Sequence, residues 1–205
     1  MFEFLKRNKE PQKNDNIDAI HIEEIKNFFF RHDGDEMGMW KCDEGKYEQY
    51  RTVNKDIVEM WRQELINEKF DLLSTTNTDK CWTTVGTLMN LIGVSQTYVE
   101  SNYERLLNHI TEIAPFLDKC QRILILEHFG GRTYHQKDGA IYKILSKTNL
   151  VDLLKKTIAI LSDFSCTSSD NINEMGWEDI SQRFDKAKSS VQKAFLMFQE
   201  NNPFE

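Results

Sequence analysis

Glycine and proline are scarce in this chain, 9 and 3 among 205 residues, about half of the roughly 12% they make up on average. So few breakers exclude a turn-dense chain and imply long, uninterrupted elements. Long apolar runs are also missing. The longest, such as Ile123 to Leu126, hold four or five residues, far short of the roughly 18 to 20 that a membrane span needs. The opening MFEFLKRNKE puts Glu3, Lys6 and Arg7 where a signal peptide would carry an apolar stretch, so the chain reads as cytosolic. Its four cysteines, Cys42, Cys81, Cys120 and Cys166, form no CxxC; in a reducing compartment most of them read as small buried apolar residues, without a zinc or redox signature. An excess of positive charge is lacking too. The formal charge is −7, a poor basis for the counterion release that drives nucleic-acid binding.

What is present suffices for a core: 40% of residues are hydrophobic and 29% charged, with 13 Phe and 4 Trp, a balance that excludes disorder for most of the length. Residues 1–16 are polar, locally basic and contain Pro11; they read as a flexible tail in which Met1, Phe2, Phe4 and Leu5 make at most a one-turn interfacial anchor. Residues 17–205 read as one domain, because apolar side chains recur throughout at helical spacing.

Ile22, Ile25, Phe28 and Phe29 share one face, and the acidic glycine-rich stretch DGDEMG reads as a loop ending that helix. Val53, Ile57, Trp61 and Leu65, widened by Met60, predict a helix from about Lys46 to Phe70. Trp82, Val85, Leu88, Met89 and Ile92 predict another, stopped by Gly93 in a left-handed conformation, with Ser95 as N-cap of the next. Val99, Tyr103, Leu106, Ile110 and Ile113 define that next helix, and Pro115 fits the first position of the one after it. Ile123 to Leu126 also fits a buried strand, for which no partner strand is evident. Lys-Cys recurs at 41, 80 and 119, but the flanking residues do not repeat, so no solenoid is implied.

The last helix is the most regular: Trp177, Ile180, Phe184, Ala187, Val191, Ala194 and Phe198 alternate spacings of three and four, the seam of a bundle or coiled coil. Phe195, Met197, Phe198 and Phe204 add apolar surface at its end, the first candidate for contact with another protein or a second copy of the chain. The acidic segment Asp33 to Glu44 is the second candidate.

Three segments bear on other functions. In DGDEMGMWKCDE, Asp33, Asp35, Gly38 and Glu44 occupy positions 1, 3, 6 and 12 of a calcium loop. To that extent the segment resembles an EF-hand, which implies calcium or magnesium held by Asp33, Asp35 and Glu44. Met37 and Lys41 stand where that family places oxygen donors, and no second loop is present. In residues 85–106, a glycine turn followed by Val94, Ser95, Gln96 and Val99 resembles the helix-turn-helix of phage-repressor-type regulators. The resemblance implies that Ser95, Gln96, Thr97, Ser101 and Arg105 meet DNA. Glu100 and Glu104 oppose that contact electrostatically. Finally, Glu127, His128, Arg132, His135, Lys137 and Asp138 gather around a glycine turn, the residue types of a metal-dependent or acid–base enzyme. His128 and His135 are seven apart and form no HExxH face. No GxSxG or P-loop occurs anywhere.

The sequence therefore predicts an all-α, single-domain irregular bundle of about seven helices. It is read as a non-catalytic cytosolic interaction domain, adaptor- or inhibitor-like, with no resident cofactor. A DNA-binding regulator built on residues 85–106 is the alternative, and an enzyme using His128 and His135 the further one.

Overall fold

The structure, a computed structural model, describes residues 19–73, 81–130, 139–163 and 180–201. The tail at 1–16 lies outside them, as do Arg132, His135, Cys166, Trp177 and Phe204. Among the described residues the fold is all-α and holds ten α-helices, more than the seven or so expected. The chain divides into two compact units between Asn54 and Lys55, where the sequence reading had one domain from residue 17.

The first unit contains α1 (Ala19–Arg31), α2 (Glu36–Cys42) and α3 (Glu44–Thr52). After α1, Asp33 takes φ 52° and Gly34 φ 68°. The Gly34 N–H donates to the Phe29 carbonyl and the Asp33 N–H to that of Phe30, both at 3.0 Å, the Schellman closure of a helix end. Two residues later Asp35 opens α2 by accepting from the Met37 N–H at 3.1 Å, and Asp43 opens α3 by accepting from the Lys46 N–H at 3.0 Å. The expected acidic loop is thus helix from Glu36 onward. Ile25, Phe28, Phe29, Met39 and Tyr50 are buried; the Phe29 and Tyr50 rings stack at 5.8 Å, and the Tyr50 hydroxyl donates to Glu36 Oε1 at 3.1 Å.

The second unit runs α4 (Lys55–Leu72), α5 (Cys81–Val94), α6 (Val99–Ile113), a 3-10 turn (Ala114–Phe116), α7 (Lys119–Gly130), α8 (Ala140–Lys147), α9 (Val151–Ser162) and α10 (Ile180–Asn201). At its centre α7 packs against α5, α8, α9 and α10, while α6 packs on α5, α8 and α9, and α4 on α5. Every residue from Cys120 to Leu126 is buried. A helix enclosed on all sides has no polar stripe, which is why the run at 123–126 also fitted a strand. Each Ile or Leu so buried contributes about 1.5–3 kcal/mol over exposure.

Three departures from the expected elements stand out, and the first two add helices. The helix expected over 46–70 is two, because Val53 is extended (φ −65°, ψ 141°). A further helix, α2, occupies the acidic segment. Pro115 opens only the 3-10 turn, because Leu117 is extended (ψ 137°). Helix α7 then starts afresh at Asp118, which accepts from the Gln121 N–H at 2.8 Å while its own N–H donates to Gln121 Oε1 at 3.1 Å, a capping box. Met60, expected in the stripe of α4, is 70% exposed, and the buried face follows Val58, Trp61, Leu65 and Ile66 instead. Gly93 lies within α5 rather than beyond it. Its value is space, since a Cβ there would stand 2.7 Å from Lys143 Cδ.

Candidate functional site

Helix α10 lies along α7 and buries Ala187, Val191 and Ala194, the middle of the expected seam. Small residues allow this approach. A Cβ on Gly130 would meet Ser190 Oγ at 2.7 Å and the Val191 nitrogen at 2.9 Å, and the Ser190 hydroxyl donates to the Gly130 carbonyl at 3.1 Å. Nearer its start, the Arg183 guanidinium grips both oxygens of Glu127, at 2.7 and 2.9 Å. Towards its end the packing loosens. Phe195, Met197 and Phe198 are half-buried, Phe198 edge-on to Tyr142 at 5.8 Å, and Leu196 between them is 56% exposed.

Four of the five residues read as DNA contacts, Ser95, Gln96, Thr97 and Arg105, meet α4. Ser95, expected as an N-cap, is buried. Helix α6 begins instead after Tyr98, which has φ 52° and caps nothing with its side chain. The hydroxyls of Ser95 and Thr97 (2.9 Å), the N–H groups of Gln96 and Thr97 (both 3.2 Å) and the side-chain amide of Gln63 (3.0 Å) all donate to Glu59 Oε1. Arg62 pairs with Glu59 Oε2. Burial alone would raise the Glu59 pKa, but the hydrogen bonds from Ser95, Gln63, Thr97 and Arg62 outweigh it and hold the group at about 2. Gln63 also accepts from the Asn102 side chain at 3.1 Å. Arg105 stacks over the Phe70 ring at 4.0 Å and donates to Asn67 at 3.3 Å, and the Ser101 hydroxyl donates to the Tyr98 carbonyl at 3.1 Å. Gln96 is exposed.

Of the residues gathered near the glycine turn, Glu127 and His128 are described. Glu127 is engaged by Arg183. The His128 ring lies against α5, where a Cβ on Gly86 would come within 2.5 Å of its Nε2. Arg132, His135, Lys137 and Asp138 lie outside the described residues. Burial pushes the Cys81 thiol up to about 11, away from the thiolate that a nucleophile requires.

In the acidic segment, Asp33 sits at the end of α1, Asp35 at the start of α2, and Glu44 in the first turn of α3. The seven residues of α2 rise about 10 Å between Asp35 and Glu44, whereas calcium ligands converge to about 2.5 Å from one ion. Among the described residues no group of three or more His, Cys, Asp or Glu is placed to hold a metal. Among the exposed residues of α2, beside Glu36, Lys41 and Cys42, are two large apolar side chains, Met37 and Trp40, 58% and 47% exposed.

Two residues central to this geometry carry no sequence signal of function. One is Glu59. The other is Arg122, buried on α7, which donates to the carbonyls of Ala114, Leu117 (3.3 Å), Ile160 (3.0 Å) and Asp163 (2.6 Å).

Among the described residues no helix is long and apolar enough to cross a membrane. The class that fold and geometry define is an all-α protein whose strongest polar clusters join helix to helix. No protein-family model, no curated protein and no solved structure matches the chain.

Proposed function

We propose that the protein is a non-catalytic, adaptor-like interaction module acting in the cytosol, and that the end of α10 is a contact surface for a second copy or another protein. The single observation that carries this reading is the contrast along α10. Its first part and middle are fixed to α7 by the Arg183–Glu127 pair, the Gly130–Ser190 contact and three buried small side chains. Its end then offers Leu196 at 56% exposure between half-buried Phe195, Met197 and Phe198. A rigid helix with an apolar end loses little conformational entropy on binding, and aromatic side chains at such a position supply most of the binding energy. Phe204 follows Phe198 six residues later in sequence, beyond the polar stretch QENN.

The test is native mass spectrometry of the untagged chain purified from its own cells, with and without Leu196→Glu. The reading expects a defined oligomer or a stoichiometric partner in the unaltered protein and its loss in the variant. A monomer in both overturns it.

A further inference from the structure

We infer that the outward face of α2, in the first unit, docks a cationic amphipathic helix of another protein. This surface is separate from α10, and the inference stands whether or not α10 binds anything. It begins with the way α2 is held. Met39 is fully buried, Asp35 caps the first turn, and Glu36 accepts from Tyr50 on α3, so the helix has one rotational setting. That setting turns Met37 and Trp40, three residues apart and therefore on one face, out to solvent at 58% and 47% exposure. Tryptophan is the side chain most enriched among residues that dominate interfaces. Methionine beside it adapts to varied apolar partners.

Charge selects the occupant. Asp33, Asp35 and Glu36 precede the apolar pair and Asp43 and Glu44 follow it, with Lys41 the lone cation in residues 33–44. All of the five but the half-buried Asp33 are exposed. An apolar pair bracketed by carboxylates repels anionic lipid and nucleic-acid phosphates, and it complements a protein segment with an apolar stripe flanked by Lys or Arg. Spacing favours a helix as that segment: the two acidic ends are about 10 Å apart along α2, close to two turns of a partner helix, so one apolar stripe and a cation at each end engage together.

The probe is a labelled peptide of about four helical turns, built from Leu and Lys at amphipathic spacing, titrated into the full chain and followed by fluorescence anisotropy. Its twin carries Glu in place of Lys. The Lys peptide is expected to bind, more weakly as salt rises, and the Glu twin not to bind. Trp40→Ala and Met37→Ser should each weaken binding about tenfold. Asp33→Asn with Glu44→Gln should weaken it severalfold and flatten the salt dependence, whereas Lys41→Gln should tighten it. Leu196→Glu should leave it unchanged. Circular dichroism checks folding, and because Met37 and Trp40 are altered separately, misfolding of one variant leaves the other as the test. Lack of binding by the Lys peptide, equal binding of the Glu twin, or binding indifferent to both Met37 and Trp40 overturns the inference.

Discussion

Helix α6 is held at its two ends by opposite charges, and the two arrangements differ in what they use. Before its first turn, Glu59 of α4 collects donors from residues 95–97. At its other end Arg122 of α7 collects the carbonyls of Ala114 and Leu117, together with those of Ile160 and Asp163 at the end of α9. Each sign suits the helix dipole, which places partial positive charge at the start and negative at the finish. Two helix ends converge on the one guanidinium, so about half a charge from each balances the buried cation. The difference lies in the partners. Arg122 is met by main-chain acceptors that no substitution removes, and it stays charged at every accessible pH. Glu59 is met partly by side chains that can be removed, and it titrates. The Arg122 arrangement is a fixed joint and the Glu59 arrangement an adjustable one.

Removing the fixed joint should have the largest effect. Arg122→Met keeps much of the volume but takes the guanidinium donor from four carbonyls, and the expected loss is about 3–5 kcal/mol, read as a drop in the urea midpoint. This loss should be the same at pH 3 and pH 7, because arginine does not titrate there. Glu59→Gln comes next, at about 2 kcal/mol, since its amide group turns N–H donors towards N–H donors. Here pH matters. The folded pKa of about 2 lies below the ordinary 4.5, so Glu59 contributes its full stability above pH 4.5 and loses it as pH falls towards 2. The gap between Glu59→Gln and the unaltered protein should therefore narrow over that window. A gap as wide at pH 2 as at pH 7 would erase the distinction between the joints.

The sequence announced the helices better than their connections. Periodicity located Ile25, Phe28 and Phe29, then Trp61 and Leu65, then Leu106 and Ile110, because each lies on a helix with one polar face. It was ambiguous at Ile123–Leu126, where burial on all sides removes the period. Arg122 stands immediately before that apolar run, and a cation at its edge is the signal that could have marked a buried joint. Glu59 offered no such signal. Its partners beyond α4 lie 36 to 38 residues away, and Ser95, Gln96 and Thr97 after a glycine read equally well as the opening of a recognition helix. The acidic segment was legible in composition and not in conformation. Asp33 and Asp35 suit a calcium loop by spacing, while the same residue type is what a Schellman turn and an N-cap select. The outward turn of Met37 and Trp40 depended on Met39 facing in, which only tertiary packing decides.

The smallest expected effect sharpens the contrast most. Thr97→Val removes one donor from Glu59, the hydroxyl at 2.9 Å, and keeps the N–H at 3.2 Å. Valine has nearly the same shape, and Thr97 is exposed, so the loss should be about 0.5–1 kcal/mol. The Glu59 carboxyl, followed by NMR titration, should at the same time move up from about 2 towards 4.5, because one of the bonds stabilising its charged form has gone. A stability loss without that movement would mean that Thr97 acts through packing alone. Movement with the loss ties the two readouts to one hydrogen bond and shows that the start of α6 can be adjusted donor by donor. The four carbonyls that meet Arg122 belong to the main chain, and side-chain substitutions do not remove them one at a time.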